Sequence, residues 1–184
     1  VAVAHTHGHP DHTSGAFQFE KTYLHPADET LTRSYYNEKA RRWLLDNVIH
    51  RTMPTDFDEG AWIGAALGEV LPLKEGQVFD LGDRQLEVIG LPGHTPGCVC
   101  FLERREGLLF SGDSAARSSM WLHAAESMPL SVYYEGMKKL AAMEKDLTLV
   151  LPAHGTTPLK PHILTEITEG TGQILRGELV GEPF

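Results

Sequence analysis

The chain has 184 residues, of which 41% are hydrophobic and 22% are charged, as in an ordinary globular protein with one sizeable core. Its formal net charge of −9 argues against a nucleic-acid partner, because phosphate contacts require clustered lysine and arginine. No apolar run approaches the length of a membrane span, so a membrane is not expected as a partner either.

The stretch Thr6–His12 holds the densest group of candidate metal ligands and closely follows the apolar run Val1–Ala4. Neutral histidine and aspartate are common metal ligands. Gly8 and Pro10 disfavour a continuous helix or strand here, so we expect a turn at the end of a buried strand, Val1–His5. The candidate ligands form two pairs, each able to face one of two neighbouring metals: His7 with His9, and Asp11 with His12.

The residues around this turn have simpler interpretations. His5 lies two residues before His7 on the same strand face, and we interpret it as a buried supporting histidine rather than a ligand. A short helix is expected after the turn, with Thr13 or Ser14 as its N-cap.

Residues 27–67 predict a mostly helical segment. It follows an expected strand at Lys21–His25, shows helical periodicity up to Asp46, and is expected to end with a short helix at Trp62–Leu67. Two interpretations stay open at this point. The segment is either an insertion that lies over the site or an ordinary packing layer.

From Val70 onward the pattern favours short strands, each bounded by turn residues. The predicted strands are Val70–Leu73, Gln77–Asp80, Arg84–Leu91, Cys98–Glu103, Gly107–Phe110 and Leu147–Leu151. Residues 114–128 are expected to form a loop, and helices are predicted at Pro129–Met143 and around Pro161–Arg176.

Three further candidate ligands, His94, Asp113 and His154, each follow one of these strands. His94 alone is a weak signal, and Asp113 could equally cap a helix. Together with the first turn, however, candidate His or Asp ligands follow the ends of four separate predicted strands. This recurrence predicts one preformed site at an edge of the sheet structure.

The only two cysteines, Cys98 and Cys100, are two residues apart in an apolar run. In a strand, both side chains would point to one face, and a disulfide between them would be strained. We therefore expect two buried free thiols, which favours a reducing, cytoplasmic location.

Five stretches, in this order, give the chain a resemblance to the metallo-β-lactamase-fold hydrolases, which include glyoxalase II and lactonases. They are Thr6–His12, the approach from Leu73–Gly76 to Pro92, Gly93–Gly97, Ser111–Asp113 and Ala153–Gly155. The resemblance covers most of the chain. It implies an α+β fold, a four-layer αββα sandwich with a dinuclear metal site at one edge of its two sheets.

By position, the resemblance also implies a ligand set: His7, His9 and His94 for the first metal, Asp11, His12 and His154 for the second, and Asp113 bridging both. Two departures stand out. The strands that usually precede the first motif are missing, so we expect the chain to be incomplete at its N-terminus, with an exposed sheet edge. The long gap from His12 to His94 agrees with an insertion at residues 27–67 within a single domain, 1–184.

The implied chemistry is hydrolysis by a metal-bound hydroxide. Two divalent metals, zinc first and iron or manganese as alternatives, would lower the pKa of a shared water to around 7. Asp11 is the candidate catalytic residue that orients the hydroxide and takes up its proton. The expected substrate is a small molecule with an ester-like bond: a thioester, a lactone or a β-lactam.

Two other activities on the same fold remain as alternatives, a phosphodiesterase or nuclease and a mononuclear iron oxygenase acting on a small thiol. A homo-oligomer is not excluded. Four residues lie where they could reach substrate, although a structural role is at least as well supported for each: Arg117, His123, Tyr133 and Tyr134.

Overall fold

Within residues 1–49 and 52–180, which the computed structural model describes, the strands form two sheets. The smaller sheet is parallel and consists of β1 (Ala2–Ala4), β2 (Lys21–Leu24) and β3 (Val70–Pro72). The larger sheet consists of β4 (Val78–Asp80), β5 (Gln85–Gly90), β6 (Val99–Glu103), β7 (Leu108–Gly112) and β8 (Leu149–Pro152). Its strands lie in chain order and are antiparallel except for β8, which runs parallel to β7.

The α-helices of the described residues are α1 (Pro10–Thr13), α2 (Glu29–Tyr35), α3 (Glu38–Asn47), α4 (Glu59–Ile63), α5 (Leu130–Ala142) and α6 (Ile163–Leu175). None of them is long and apolar enough to cross a membrane.

Strand β6 shows how the layers are built, because every one of its side chains is buried. Val99 and Phe101 point towards the smaller sheet and share an apolar cluster with Tyr23. Cys100 and Leu102 point the other way, into the cluster that the larger sheet forms with α5 and α6. The strand is therefore apolar on both faces, as a strand covered on both sides must be.

The central strand of the smaller sheet, β2, is also covered on both faces. Tyr23 faces the larger sheet, while its neighbours Thr22 and Leu24 point away from that sheet and are still buried. Two central sheets thus lie between helical layers, and the predicted α+β sandwich is confirmed. The two thiols, Cys98 and Cys100, are free and buried, as expected.

Helices α2, α3 and α4 occupy much of residues 27–67. Arg41 holds this helical segment together: its buried guanidinium stacks on the rings of Tyr36 and Trp62, 4.3 and 4.5 Å from their centroids, and donates a hydrogen bond to the Trp62 carbonyl. The last helix begins earlier than predicted, because Asp58 caps it by accepting from the Ala61 backbone N–H at 2.9 Å. The helix expected at Trp62–Leu67 was therefore wrong by several residues.

Two further expectations near the N-terminus were wrong. The first strand is not buried: Ala2 and Ala4 are exposed, because β1 forms an edge of its sheet and the described residues do not cover it. The N-cap predicted for the short helix after the turn was also wrong: a 3-10 helix does lie at Ala16–Gln18, but Gly15 precedes it, not Thr13 or Ser14. Helix α1 already begins at Pro10, since proline suits the first helical position. The single-domain assignment, the insertion and the incomplete N-terminus stay predictions.

Candidate metal centre

The structure brings all seven predicted ligands together at the ends of four strands. The loop after β1 carries His7 and His9, and α1 carries Asp11 and His12; His94 follows β5, Asp113 follows β7, and His154 follows β8. Three overlapping groups have their potential ligand atoms within 4.8 Å of one another: His7–His9–His94, His7–His12–Asp113 and Asp11–His12–His154. The site thus has two ends joined by shared residues.

The first end is a cluster of three imidazoles. His9 Nδ1 lies 2.8 Å from His94 Nε2 and 3.1 Å from His7 Nε2. His94 donates from Nδ1 to the Trp121 carbonyl oxygen at 2.6 Å, and His9 Nε2 lies 2.7 Å from a carboxylate oxygen of Glu126. Because carbonyl and carboxylate oxygens accept, these bonds place the proton of each neutral ring on its outer nitrogen. The inner nitrogens of His9 and His94 then both carry lone pairs and need a cation between them.

The second end combines carboxylates with imidazoles. His154 Nε2 lies 3.0 Å from Asp11 Oδ2, and His12 Nε2 lies 3.4 Å from the same oxygen and 3.1 Å from Asp113 Oδ1. Asp113 Oδ2 is 3.6 Å from both His154 Nε2 and His94 Nε2. Asp113 therefore stands between the two ends of the site.

Burial and charge set the protonation of these groups. Burial lowers the pKa of His7 to about 2 and also lowers the pKa of His94. Burial would lower the pKa of His12 too, but the carboxylates of Asp11 and Asp113 outweigh it and raise that pKa to about 9. In turn, His12 holds the pKa of both carboxyl groups below its usual range, against the effect of burial.

The residues fit divalent metal ions. His12 Nε2 and Asp113 Oδ1 are buried without a hydrogen bond, although they lie only 3.1 Å apart, because their directions do not suit one. Buried polar atoms rarely stay unpaired, and a shared cation would satisfy both. Neutral imidazoles and carboxylates are a donor set suited to zinc and also accepted by iron and manganese.

Asp28 ties the two ligand-bearing loops of the first end together. Its wholly buried carboxylate accepts from the backbone N–H of Gly8 at 2.8 Å, from that of Gly97 at 2.7 Å, and from the Thr95 hydroxyl at 2.6 Å. A Cβ atom on Gly97 would lie 2.5 Å from the Asp28 carboxyl carbon, so glycine is needed for this approach. One side chain thereby fixes the loop of His7 and His9 against the loop of His94.

Gly112 orients Asp113. Its φ of +54° lies in the left-handed region that glycine adopts readily, and a Cβ there would come within 2.6 Å of the Thr6 hydroxyl oxygen. Thr6 is held in turn, because its carbonyl accepts from the Val99 backbone N–H at 2.8 Å. Asp113 begins no helix, since the next described α-helix starts at Leu130, so the alternative that it is a helix cap was wrong.

The site lies in an open cleft of about 1010 Å³. Candidate ligands form its floor: His9, Asp11, His94, Asp113 and His154. One wall comes from the helical segment: Tyr35, Trp43, Leu44, Val48, Ile49, Met53, Phe57 and Trp62. The opposite wall comes from the loop after β7, chiefly Ala116, Met120, Trp121 and Ala124. Described side chains of the helical segment therefore face the candidate ligands across the cleft.

A family model described as the metallo-beta-lactamase superfamily matches residues 1–169. The chain belongs to this superfamily. The match spans every ligand-bearing loop, in agreement with the resemblance seen in the sequence.

Curated relatives in the superfamily include hydrolases. An acyl-coenzyme A thioesterase, MBLAC2 of Homo sapiens, is 36% identical over 124 residues, which cover 66% of this chain and 44% of that protein. The hydroxyacylglutathione hydrolase GloC of Haemophilus influenzae is 30% identical over 114 residues, 59% of this chain and 46% of that protein. The chain thus spans less than half the length of both relatives.

Solved structures show the same fold. A metallo-beta-lactamase family protein of Thermus thermophilus matches with a TM-score of 0.69 at 21% identity, covering 96% of this chain and 62% of its own. The protein TTHA1623, solved in a di-iron-bound form, matches with a TM-score of 0.63 at 27% identity, covering 89% of this chain and 74% of its own.

Sequence reasoning missed Asp28 and Glu126. Asp28 follows Pro26 near the start of the predicted helical segment, where an acidic residue is common, and Glu126 lies in a segment predicted only as a loop. Their roles depend on partners 20 to 117 positions away along the chain, and no local pattern marks such contacts.

The four residues considered for substrate contact do not line the cleft. Tyr133 is buried and donates to the Ser114 carbonyl at 2.7 Å, and Arg117 pairs with Glu166 at 3.0 Å. The structure assigns these two a structural and a surface role.

Proposed function

We propose that this chain is a dinuclear metal-dependent hydrolase that cleaves a thioester-like bond of a small molecule. The observation that carries the proposal is the pair of inner nitrogens on His9 and His94, which face each other at 2.8 Å and have their protons drawn to the outside. The seven-residue set provides three overlapping ligand groups, and the middle group, His7–His12–Asp113, joins the two ends of the site.

The proposed ligands are His7, His9 and His94 for one metal, Asp11, His12 and His154 for the other, and Asp113 for both. Metals held there would supply a water of lowered pKa and stabilise negative charge on the scissile carbonyl oxygen. Zinc is the first expectation for this donor set.

The chain's own residues have distinct tasks. Asp11 has a half-exposed carboxylate at the cleft floor, so it can orient the attacking water and hold its proton. Glu126 and the Trp121 carbonyl fix the rings of His9 and His94 from outside.

The thioester class is supported by two observations. The relatives named above include an acyl-coenzyme A thioesterase and a hydroxyacylglutathione hydrolase. Lysine and arginine are absent from the described residues that line the cleft, which disfavours a nucleic-acid phosphodiester as substrate.

The test is a substrate panel run with the metal-loaded protein: an S-acyl thioester, a lactone, a β-lactam and a bis-aryl phosphodiester. We expect the thioester to have the highest kcat/KM. Asp11→Asn should reduce kcat by at least about a hundredfold, within the usual range for loss of a general base. Asp83→Asn, in the exposed turn between β4 and β5, is the matched control and should leave kcat unchanged. Preference for the phosphodiester, or full activity in Asp11→Asn, would contradict the proposal.

A further inference from the structure

The walls of the cleft are apolar and aromatic, whereas its floor carries charged residues. The proposed metal centre accounts for the floor but not for the walls. All three tryptophans of the chain, Trp43, Trp62 and Trp121, line this one cleft. Trp43 is 55% exposed and Trp121 is 61% exposed, on opposite walls. Large aromatic side chains kept in contact with water around one concave surface are typical of a binding site for an apolar ligand.

The helical wall is apolar well beyond its tryptophans. Leu44, Val48, Ile49, Met53 and Phe57 also line it. Val48 is 47% exposed, so this surface is not simply the inside of a packed core. This wall belongs to the helical segment in which the Arg41 guanidinium stacks on the rings of Tyr36 and Trp62.

Charge is confined to the floor. The charged residues among the described lining are the carboxylates Asp11, Asp113 and Glu126, and no lysine or arginine accompanies them. A polar acyl group or an anionic carrier would therefore find no lysine or arginine among the described residues of the walls. An apolar chain attached to a polar reacting group matches both ends of the cleft.

We propose that the cleft binds the apolar acyl chain of a thioester, with the chain lying against Trp43 and the helical wall and the thioester carbonyl at the metal floor. This inference rests on the proposed function and narrows its substrate class. The apolar walls favour an alkyl acyl group over a hydroxyacyl group. The thiol part of the thioester would lie outside the described cleft lining.

Binding can be tested without turnover. S-alkyl thioethers of N-acetylcysteamine, from ethyl to dodecyl, mimic the thioester but cannot be hydrolysed. Because every tryptophan of the chain lines the cleft, intrinsic tryptophan fluorescence reports occupancy directly. We expect Kd to fall by up to about fourfold for each methylene that becomes buried, and then to level off when the chain outgrows the cleft.

A variant pair tests the position of the chain. Trp43→Ala should lower the ratio of kcat/KM for decanoyl over acetyl N-acetylcysteamine thioester by about tenfold, equivalent to about 1.4 kcal/mol. Leu81→Ala is the matched control, because Leu81 is 56% exposed but lies outside the cleft. It should leave the ratio unchanged.

The outcomes separate the two proposals. Hydrolysis of thioesters with no dependence on chain length, and thioether binding that does not tighten with length, would overturn this inference while the proposed function stands. Length-dependent thioether binding without hydrolysis of any thioester would support the apolar site and overturn the proposed function. If the ratio of kcat/KM for the decanoyl over the acetyl thioester is unchanged in Trp43→Ala, then Trp43 does not contact the acyl chain.

Discussion

Asp28→Asn tests whether a buried carboxylate sets the geometry of the metal centre. In the parent chain, Asp28 Oδ1 accepts from Gly97, and Oδ2 accepts from Gly8 and Thr95. Asparagine keeps the shape but replaces one oxygen with an amide group, which donates. If the amide takes the Oδ1 position, two N–H groups face each other across about 2.7 Å.

The cost can be estimated from the bonds lost. A hydrogen bond to a charged group contributes about 1.5–3 kcal/mol, and an unsatisfied buried donor costs about 1–3 kcal/mol. We therefore expect the free energy of unfolding to fall by about 3 kcal/mol. The two loops would also lose their common anchor, and comparable losses of outer support weaken metal affinity by about 10- to 100-fold.

The assay is competition between the protein and a chromophoric chelator, with chemical denaturation run in parallel. Glu103→Gln is the matched control: Glu103 is also a buried carboxylate that accepts a backbone N–H, from Glu106 at 2.7 Å, but it is the last residue of β6, at the end of the strand opposite the His94 loop. It should lose stability without losing metal affinity. If Asp28→Asn loses stability and still binds metal with the parent affinity, Asp28 supports the fold but does not position the ligands.

Two other predictions concern the metals themselves. Asp113→Asn should weaken the binding of both metals and remove activity, because the shared negative charge that offsets two nearby cations is lost; elemental analysis showing about two metals per chain and normal turnover would refute the bridging role. In the metal-free protein the pKa of His12 is raised to about 9, so His12 is protonated at pH 7, and metal uptake should release about one proton from it. The contribution of protonated His12 to stability is fully present below pH 6.5 and is lost as the pH rises through about 9. His7, with its pKa lowered to about 2, is already neutral and should release none. Proton release measured in weakly buffered solution checks this, and metal affinity that does not change between about pH 6 and pH 9 would contradict it.

The parts of the site that could be predicted from sequence are those encoded by short stretches. His94, Asp113 and His154 each follow a run of apolar, strand-forming residues, and such runs end where turn residues begin. The order of the motifs then supplied the resemblance, and with it the grouping of ligands, which stays a proposal.

The missed parts depend on tertiary contacts. Asp28 looks like any acidic residue in a first helical turn, and only the folded chain brings it to Gly97. The exposure of Ala2 and Ala4 follows from where β1 lies in its sheet, which an apolar run alone cannot indicate. Helix α4 begins earlier than predicted because Asp58 is its N-cap. The residues that follow Asp58 show no clear helical periodicity, so the sequence does not mark this start.

The metal content of the purified chain shows whether the site holds two metal ions. Elemental analysis combined with intact mass under native conditions should give two divalent metal ions per chain, falling to at most one in His9→Ala and in His154→Ala, which remove a ligand from opposite ends of the site. Retention of two metals in both variants, or a parent chain that binds no metal at micromolar concentrations, would contradict the account.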